Sequence, residues 1–172
     1  MQSKHGSGRV ESLHIHPQVP GAPFKALQAL TLIEGKGIFE DTRYFARTSR
    51  AGAPTRRQVS LIEREQIAEH AAILGLETIA PGEVRANVET TGINLQEFVG
   101  YEVALGEAVL FFYAPRTPCQ KMDRICQGLR ALMENARQGV MAEVIRSGTV
   151  RVGDEIRALR QRVKQGAGIS AV

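Results

Sequence analysis

Gly100-Tyr-Glu-Val-Ala-Leu-Gly106-Glu-Ala-Val-Leu-Phe-Phe-Tyr-Ala-Pro115 contains two apolar, β-branched and aromatic runs divided by a glycine turn. The runs Tyr101–Leu105 and Ala108–Ala114 have the length and composition of adjacent β-strands. Glycines continue to punctuate the chain downstream, at Gly139, Gly148 and Gly153. They separate two more short runs, Val140–Ile145 and Thr149–Val152. Upstream, Gly8–His16 alternates, with Val10, Leu13 and Ile15 apolar, and stops at Pro17 and the Pro20-Gly21 turn. Leu27–Ile33 is a further apolar, partly β-branched run. Val84, Ala86 and Val88 alternate against Arg85, Asn87 and Glu89, which reads as a strand over Glu83–Thr90. Many short strands spaced by turns predict a mainly β fold, a barrel with helical insertions.

Two helices interrupt this pattern. Ser60-Leu-Ile-Glu63 matches a capping box, in which the serine hydroxyl accepts from the N3 amide and the glutamate reaches back. Ile67, Ala71 and Leu74 supply an apolar stripe behind it, and Gly75 a stop. His70 on this helix reads as a solvated residue. Asp123–Ala136, with Ile125, Leu129, Leu132 and Met133 at helical spacing, predicts a second helix in spite of Gly128. The segment after Asp154 fits either a strand with a tail or a short basic helix. Residues 1–7 read as a disordered leader and 158–172 as a basic C-terminal tail, leaving 8–157 as one domain.

The chain has 172 residues, 43% of them hydrophobic, a size and composition suited to one packed domain. No apolar run approaches a membrane span, and the first residues lack a secretory signal's apolar region. Cys119 and Cys126 are too few for a disulfide framework, so a reducing cytoplasm is the expected compartment. The net charge of +4 is unevenly distributed. A C-terminal run of Arg157, Arg160, Arg162 and Lys164 carries no acid. A second basic stretch, Arg43, Arg47, Arg50, Arg56 and Arg57, lies in the long polar connection Glu34–Arg57. Of the 22 basic residues 17 are arginine, which favours planar, bidentate contacts to anions. With no Trp and three Tyr, stacking platforms for single strands are scarce, and nucleic acid is not the expected partner.

Cys119 follows the strongest apolar strand in Tyr113-Ala-Pro115-Arg116-Thr-Pro118-Cys119. Two prolines restrict the chain and hold the thiol at a strand exit, with Arg116 three residues away as a positive neighbour. A small buried hydrophobe is the other reading of this spacing. Cys126 reads as a packed helix cysteine. His14 and His16 share a strand face but lack a third metal ligand, and read as a polar face near a turn. No Walker loop, nucleophile elbow or dinucleotide fingerprint is present. Arg57 stands at the mouth of the long loop. Arg85 and Asn87 share a strand face, and an arginine with an amide can clamp a phosphate or a polar heterocycle.

Five segments in order, Arg57-Gln-Val-Ser-Leu61, Pro81-Gly-Glu-Val-Arg85-Ala-Asn87-Val, Gly92-Ile-Asn-Leu95, Arg116-Thr-Pro-Cys119 and Gly148-Thr-Val-Arg-Val-Gly153-Asp-Glu-Ile156, resemble the MOSC family. The resemblance covers residues 8–157 and implies a barrel of the kind also seen as a pyruvate-kinase insert. It implies a cysteine, Cys119, that carries sulfane sulfur or ligates molybdenum. It further implies the molybdenum cofactor as ligand, held by Arg57, Arg85, Asn87 and Arg116, with Asp41 or Arg43 closing the loop over it. Pyridoxal phosphate enters only through a partner desulfurase. Some relatives instead act with redox partners as reductases of N-hydroxylated compounds. This chain departs from the family pattern in two places. The first loop reads Glu40-Asp41-Thr42-Arg43-Tyr44 where relatives show Gly-Asp-Arg-Tyr, and Arg85-Ala86-Asn87 replaces Arg-Arg-Asn. A non-catalytic barrel that binds a small ligand is the rival expectation.

Overall fold

The computed structural model describes residues 6–163. Their elements run, in chain order, β1 (Ser7–Ile15), β2 (Lys25–Leu27), β3 (Ala29–Ile33), β4 (Gly37–Ile38), β5 (Val59–Glu63), α1 (Arg64–Ile73) and β6 (Val88–Thr91). A single 3-10 turn at Leu95–Phe98 precedes β7 (Tyr101–Leu105) and β8 (Ala108–Pro115). Two one-turn helices, α2 (Met122–Ile125) and α3 (Leu129–Leu132), then lead to β9 (Val140–Arg146), β10 (Gly148–Arg151) and β11 (Glu155–Gln161).

Seven strands close into a barrel in the order β11-β7-β8-β9-β5-β6-β1, with β1 pairing back onto β11 and β2 appended to β1. The closing seam sets Ser7 opposite Arg157 and Arg9 opposite Glu155. Closure leaves these seven strands without a free edge. A second sheet, β10-β3-β4, packs its Leu30, Leu32, Ile38 and Val150 into the same core. Antiparallel pairing prevails because most connections are short. The one parallel pair, β5 with β6, is joined by the crossover that contains α1, as parallel neighbours require.

All five residues of β5 are buried, since the strand is covered on both sides. Val59 and Leu61 point into the barrel core, while Ile62 joins a second apolar cluster outside it. That cluster packs Ile67 and Ala71 of α1 against Val84, Ala86, Met122, Leu129 and Met133. It therefore draws three separate stretches, 62–71, 79–86 and 122–133, onto one flank of the barrel. Among the described residues no helix is long and apolar enough to cross a membrane.

Several local expectations need correction. Ser60 does not cap a helix: it lies within β5, and α1 begins after Glu63, which makes no side-chain capping bond. The strand expected over Glu83–Thr90 starts only at Val88, because residues 81–84 form a turn and Arg85 takes a left-handed backbone. Asp123–Ala136 is two single turns rather than one helix, since Gly128 has φ +95°. His70 is buried, with Nε2 3.0 Å from the carbonyl of Arg137. Cys126 ends α2 and is half-buried. The segment after Asp154 is a strand, and β11 extends to Gln161, beyond the expected domain end at 157. Ser7, expected in the leader, already belongs to β1. Residues 1–5 and 164–172 lie outside the described residues.

Candidate functional site

Cys119 sits where β8 leaves the barrel, and it is exposed. The loop that carries it is anchored at both ends. On one side the Arg116 amide donates to Gly139 O at 2.9 Å. Gly139 has φ +78°, and a Cβ there would lie 1.8 Å from Leu61 O, so only glycine allows this close approach. On the other side Met122 is fully buried in the second apolar cluster, and its amide bonds Cys119 O at 3.1 Å. The thiol is thus presented on a short loop between a sheet hydrogen bond and a core anchor.

The Arg116 side chain folds back across this loop. Its Nη2 donates to Val84 O at 2.9 Å and to Arg85 O at 3.0 Å, tying the thiol loop to the turn that carries Arg85. Its Nη1 is buried with no partner among the described residues. Burial pushes the guanidinium down to about 10, while a Cys119 thiolate favours the charged form. Arg85 stands in the left-handed region at φ +61°. Its guanidinium lies 4.5 Å from the Phe24 ring centroid, and Nη1 reaches Ala22 O at 3.4 Å. Burial first, and then the nearby Arg43 charge, lower its pKa.

A buried polar network explains why residues 81–87 turn. Glu89 is fully buried, accepts from the Gly82 amide at 2.6 Å and pairs with Arg64 at 2.7 Å. His14, also buried, donates from Nδ1 to Ala86 O at 3.2 Å. Gly82 has φ +86°, and a Cβ there would lie 3.1 Å from the His14 ring. Asn87 is enclosed next to them. Its Oδ1 accepts from the Ser60 amide and hydroxyl, both at 3.0 Å, and its Nδ2 donates to His14 O at 3.1 Å. Ser60 Oγ in turn accepts from the Asn87 amide. The hydroxyl that resembled a helix cap therefore holds β5 to the start of β6.

Asp41 organises its own loop from a buried position. It accepts from His16 Nδ1 at 2.8 Å, the His16 amide at 3.1 Å, the Arg43 amide at 3.0 Å and the Tyr44 amide at 2.9 Å. Burial pulls its carboxyl upward, but these hydrogen bonds prevail and hold it at about 2. The loop closed by Asp41 presents Arg43 and Tyr44 outward. Arg57 lies over the Tyr44 ring at 5.1 Å and Arg43 at 5.6 Å. His16 packs between Phe24 at 4.4 Å and Tyr44 at 4.9 Å. The two histidines of β1 and its exit thus serve different neighbours, and among the described residues no three metal-ligating side chains converge.

These parts enclose a two-lobed cleft. An inner lobe of about 300 Å³ is bounded by Cys119, Arg116, Arg57, Arg85, Arg43 and Lys121, with Ser60, Asn87, Met122 and Met141 behind. An outer lobe of about 700 Å³ shares Arg43, Tyr44, Arg57, Arg85 and Lys121 and adds Arg47, Thr48 and Thr55. Among the described residues no carboxylate lines either lobe. Among the described residues none of these cations is in an ion pair. A concave surface of this kind favours a small anion with a planar, stackable body.

Of the residues expected from sequence, Arg43, Arg57, Arg85, Asn87, Arg116 and Cys119 come together here. Asp41 does not line the cleft; its part is to shape the loop. Tyr44, Lys121, Arg47 and His16 were not anticipated. The Glu40-Asp41-Thr-Arg43-Tyr44 stretch held the signal for Tyr44, whereas Lys121 joins only through the fold of the thiol loop.

A profile of the MOSC domain matches residues 35–157, more than half of the chain. The fold is similar to that of YuaD from Bacillus subtilis, with a TM-score of 0.74 at 22% identity, covering 88% of this chain and 95% of that one. It is also similar to YiiM from Escherichia coli, with a TM-score of 0.64 at 20% identity over 90% of this chain and 71% of that one. YiiM from Geobacillus stearothermophilus gives 0.62 at 14% identity, covering 89% and 73%. No curated protein matches the chain.

Proposed function

The chain belongs to the MOSC family, which is associated with binding of the molybdenum cofactor, and on that premise we propose that its cleft binds this anionic pterin cofactor and that Cys119 carries sulfur there. The observation behind the proposal is an exposed thiol at the rim of a cleft whose charged side chains, among the described residues, are cations.

The donor set suits such a ligand. Arg116, Arg57 and Arg85 line the inner lobe together, and Arg116 Nη1 is a buried donor with no acceptor among the described residues. These three would hold the phosphate, Arg43 and Tyr44 would cover the ring system, and Cys119 would face the metal end. Asn87 contributes by fixing Ser60 and the Arg85 turn. When bound, the cofactor supplies a soft metal centre able to accept a thiolate or a terminal sulfur.

The exposure of Cys119 supports sulfur carriage. Its thiolate attacks the terminal sulfur of a donor persulfide, the new S–S bond forms, and the donor cysteine leaves as its thiolate. Release reverses the sense: an acceptor thiolate attacks the terminal sulfur, a new S–S bond forms on the acceptor, and Cys119 leaves as its thiolate. Arg85 and Arg116 line the inner lobe together with Cys119 and place positive charge where an anionic sulfur species would sit. A pyridoxal-phosphate-dependent cysteine desulfurase is the partner chemistry that provides such a donor. A free thiol of this kind calls for a reducing compartment such as the cytoplasm.

The outer lobe favours a second reading, a molybdenum-dependent reductase of N-hydroxylated compounds working with a redox partner, because it leaves room for a substrate beyond the inner lobe. One measurement separates the readings, and a second tests the cofactor they share. With a desulfurase and cysteine, intact mass should show one added sulfur that maps to Cys119, retained in Cys126→Ser and lost in Cys119→Ser. Sulfur on Cys126, or none, overturns carriage. Molybdenum and pterin analysis of protein made in a molybdate-replete host tests the cofactor, and an absence of both rejects that part.

A further inference from the structure

A second cleft of about 400 Å³, lined by Glu63, Glu65, Gln66 and Glu69 with Gly92, Ile93 and Asn94, has the opposite character. It lies at the far end of β5 from Ser60, which lines the thiol cleft, and among the described residues no basic side chain borders it. Glu63 is only 5% exposed. One of its oxygens, Oε1, accepts from the Leu95 amide at 2.7 Å, while Oε2 is buried with no partner among the described residues. Gln66 Oε1 is a second buried acceptor without a donor. Glu65 accepts from the Gly92 amide at 3.1 Å. Burial, and then the Glu65 and Glu69 charges, raise the pKa of Glu63.

We propose that this cleft binds an organic cation rich in N–H donors, a guanidinium or primary ammonium, with Glu63 Oε2 and Gln66 Oε1 as its acceptors. Unpaired acceptors buried beside further carboxylates lack two things, a positive charge and hydrogens to share. A metal ion supplies the charge but needs convergent ligands, and among the described residues no three metal-ligating side chains converge. A planar guanidinium spans more widely spaced acceptors and donates to several at once. The volume accommodates an alkylguanidine or an arginine side chain. The site is separate from the thiol cleft, so its success or failure leaves the sulfur chemistry untouched.

The test is titration of the full-length protein by calorimetry and by amide chemical shifts. The Gly92 and Leu95 amides report locally, because they bond Glu65 and Glu63. Agmatine should bind at one site and move both amides. Tetramethylammonium, which has the charge but no N–H, should bind at least tenfold more weakly. Glu63→Gln keeps an acceptor for Leu95 but removes the charge, and should weaken agmatine by about tenfold or more. Cys119→Ser should bind agmatine as the native chain does. Should Glu63→Gln fail to fold, the exposed Glu69→Gln replaces it, with a severalfold loss expected. A capped arginine dipeptide binding more tightly than agmatine identifies a protein side chain as the source, and the reverse a free small molecule. Equal binding of tetramethylammonium, tighter binding of magnesium, no effect of either variant, or no shift at Gly92 and Leu95 overturns the proposal.

Discussion

Asp41 shows how a residue expected at a ligand can act one step behind it. Its carboxylate gathers four donors from His16, Arg43 and Tyr44 and so sets the shape of the loop over the cleft. The carboxyl is held at about 2, against roughly 3.9 in an unfolded chain. A depressed carboxyl stabilises the fold fully above the unfolded value and loses that contribution as pH falls towards the folded one. Asp41 should therefore contribute about 2 kcal/mol at neutral pH, lost between roughly pH 4 and pH 2. Urea unfolding of the native chain and Asp41→Asn should differ at pH 6 and converge near pH 2; parallel curves would count against this role. The sequence singled out Asp41 through its neighbours Arg43 and Tyr44. Its partner His16 lies 25 residues upstream and left no local mark.

Elements were legible where a pattern belongs to one segment, and illegible where a long-range partner took over. Strands β7, β8, β9 and β10 match their expected runs within about a residue. Ser60 failed as a helix signal because a serine hydroxyl can bond any nearby amide, and here Asn87 lies closer than a first helical turn. The turn at 81–86 overrode strand alternation because Glu89, His14 and Arg116 all bind its backbone. Arg116 is the link between that turn and the thiol loop. Arg116→Lys keeps the charge but not the planar fork that serves two carbonyls. Hydrogen exchange should speed about tenfold at residues 83–86 and 117–121 with the barrel strands unchanged, and sulfur loading of Cys119 should slow. Unaltered exchange in both segments would remove Arg116 as a clamp.

Across the molecule, the barrel is held shut by its first and last strands. Ser7–Arg9 pairs with Glu155–Arg157, and Ile156–Gln161 pairs with β7. A chain ending after Arg157, the boundary that the family motifs suggested, would lose the β7 pairing from Ala158 onward. It should melt about 5–10 °C below a chain ending after Val163, which keeps the whole of β11. Equal melting temperatures would show that the last turn of the strand is dispensable. Closure also assembles the candidate site, because it brings residues 41–44, 57, 85 and 116–121 together. The charge that looked like two basic stretches is reorganised accordingly. Arg43, Arg47 and Arg57 join Arg85, Arg116 and Lys121, while Arg56 pairs with Glu143.

Strand periodicity, glycine punctuation and the order of the five family segments were enough to establish the barrel class and the thiol at a strand exit. Those signals are local, since side-chain alternation and turn chemistry are properties of consecutive residues. Which side chains meet was set by folding alone. Ser60 with Asn87, His16 with Asp41 and Arg116 with Arg85 are partners 25 to 31 residues apart, joined by short-range hydrogen bonds. The donors and acceptors are visible in the chain, but their pairing depends on barrel closure. So does the contrast between a cationic cleft that holds the thiol and an acidic one at the other end of β5.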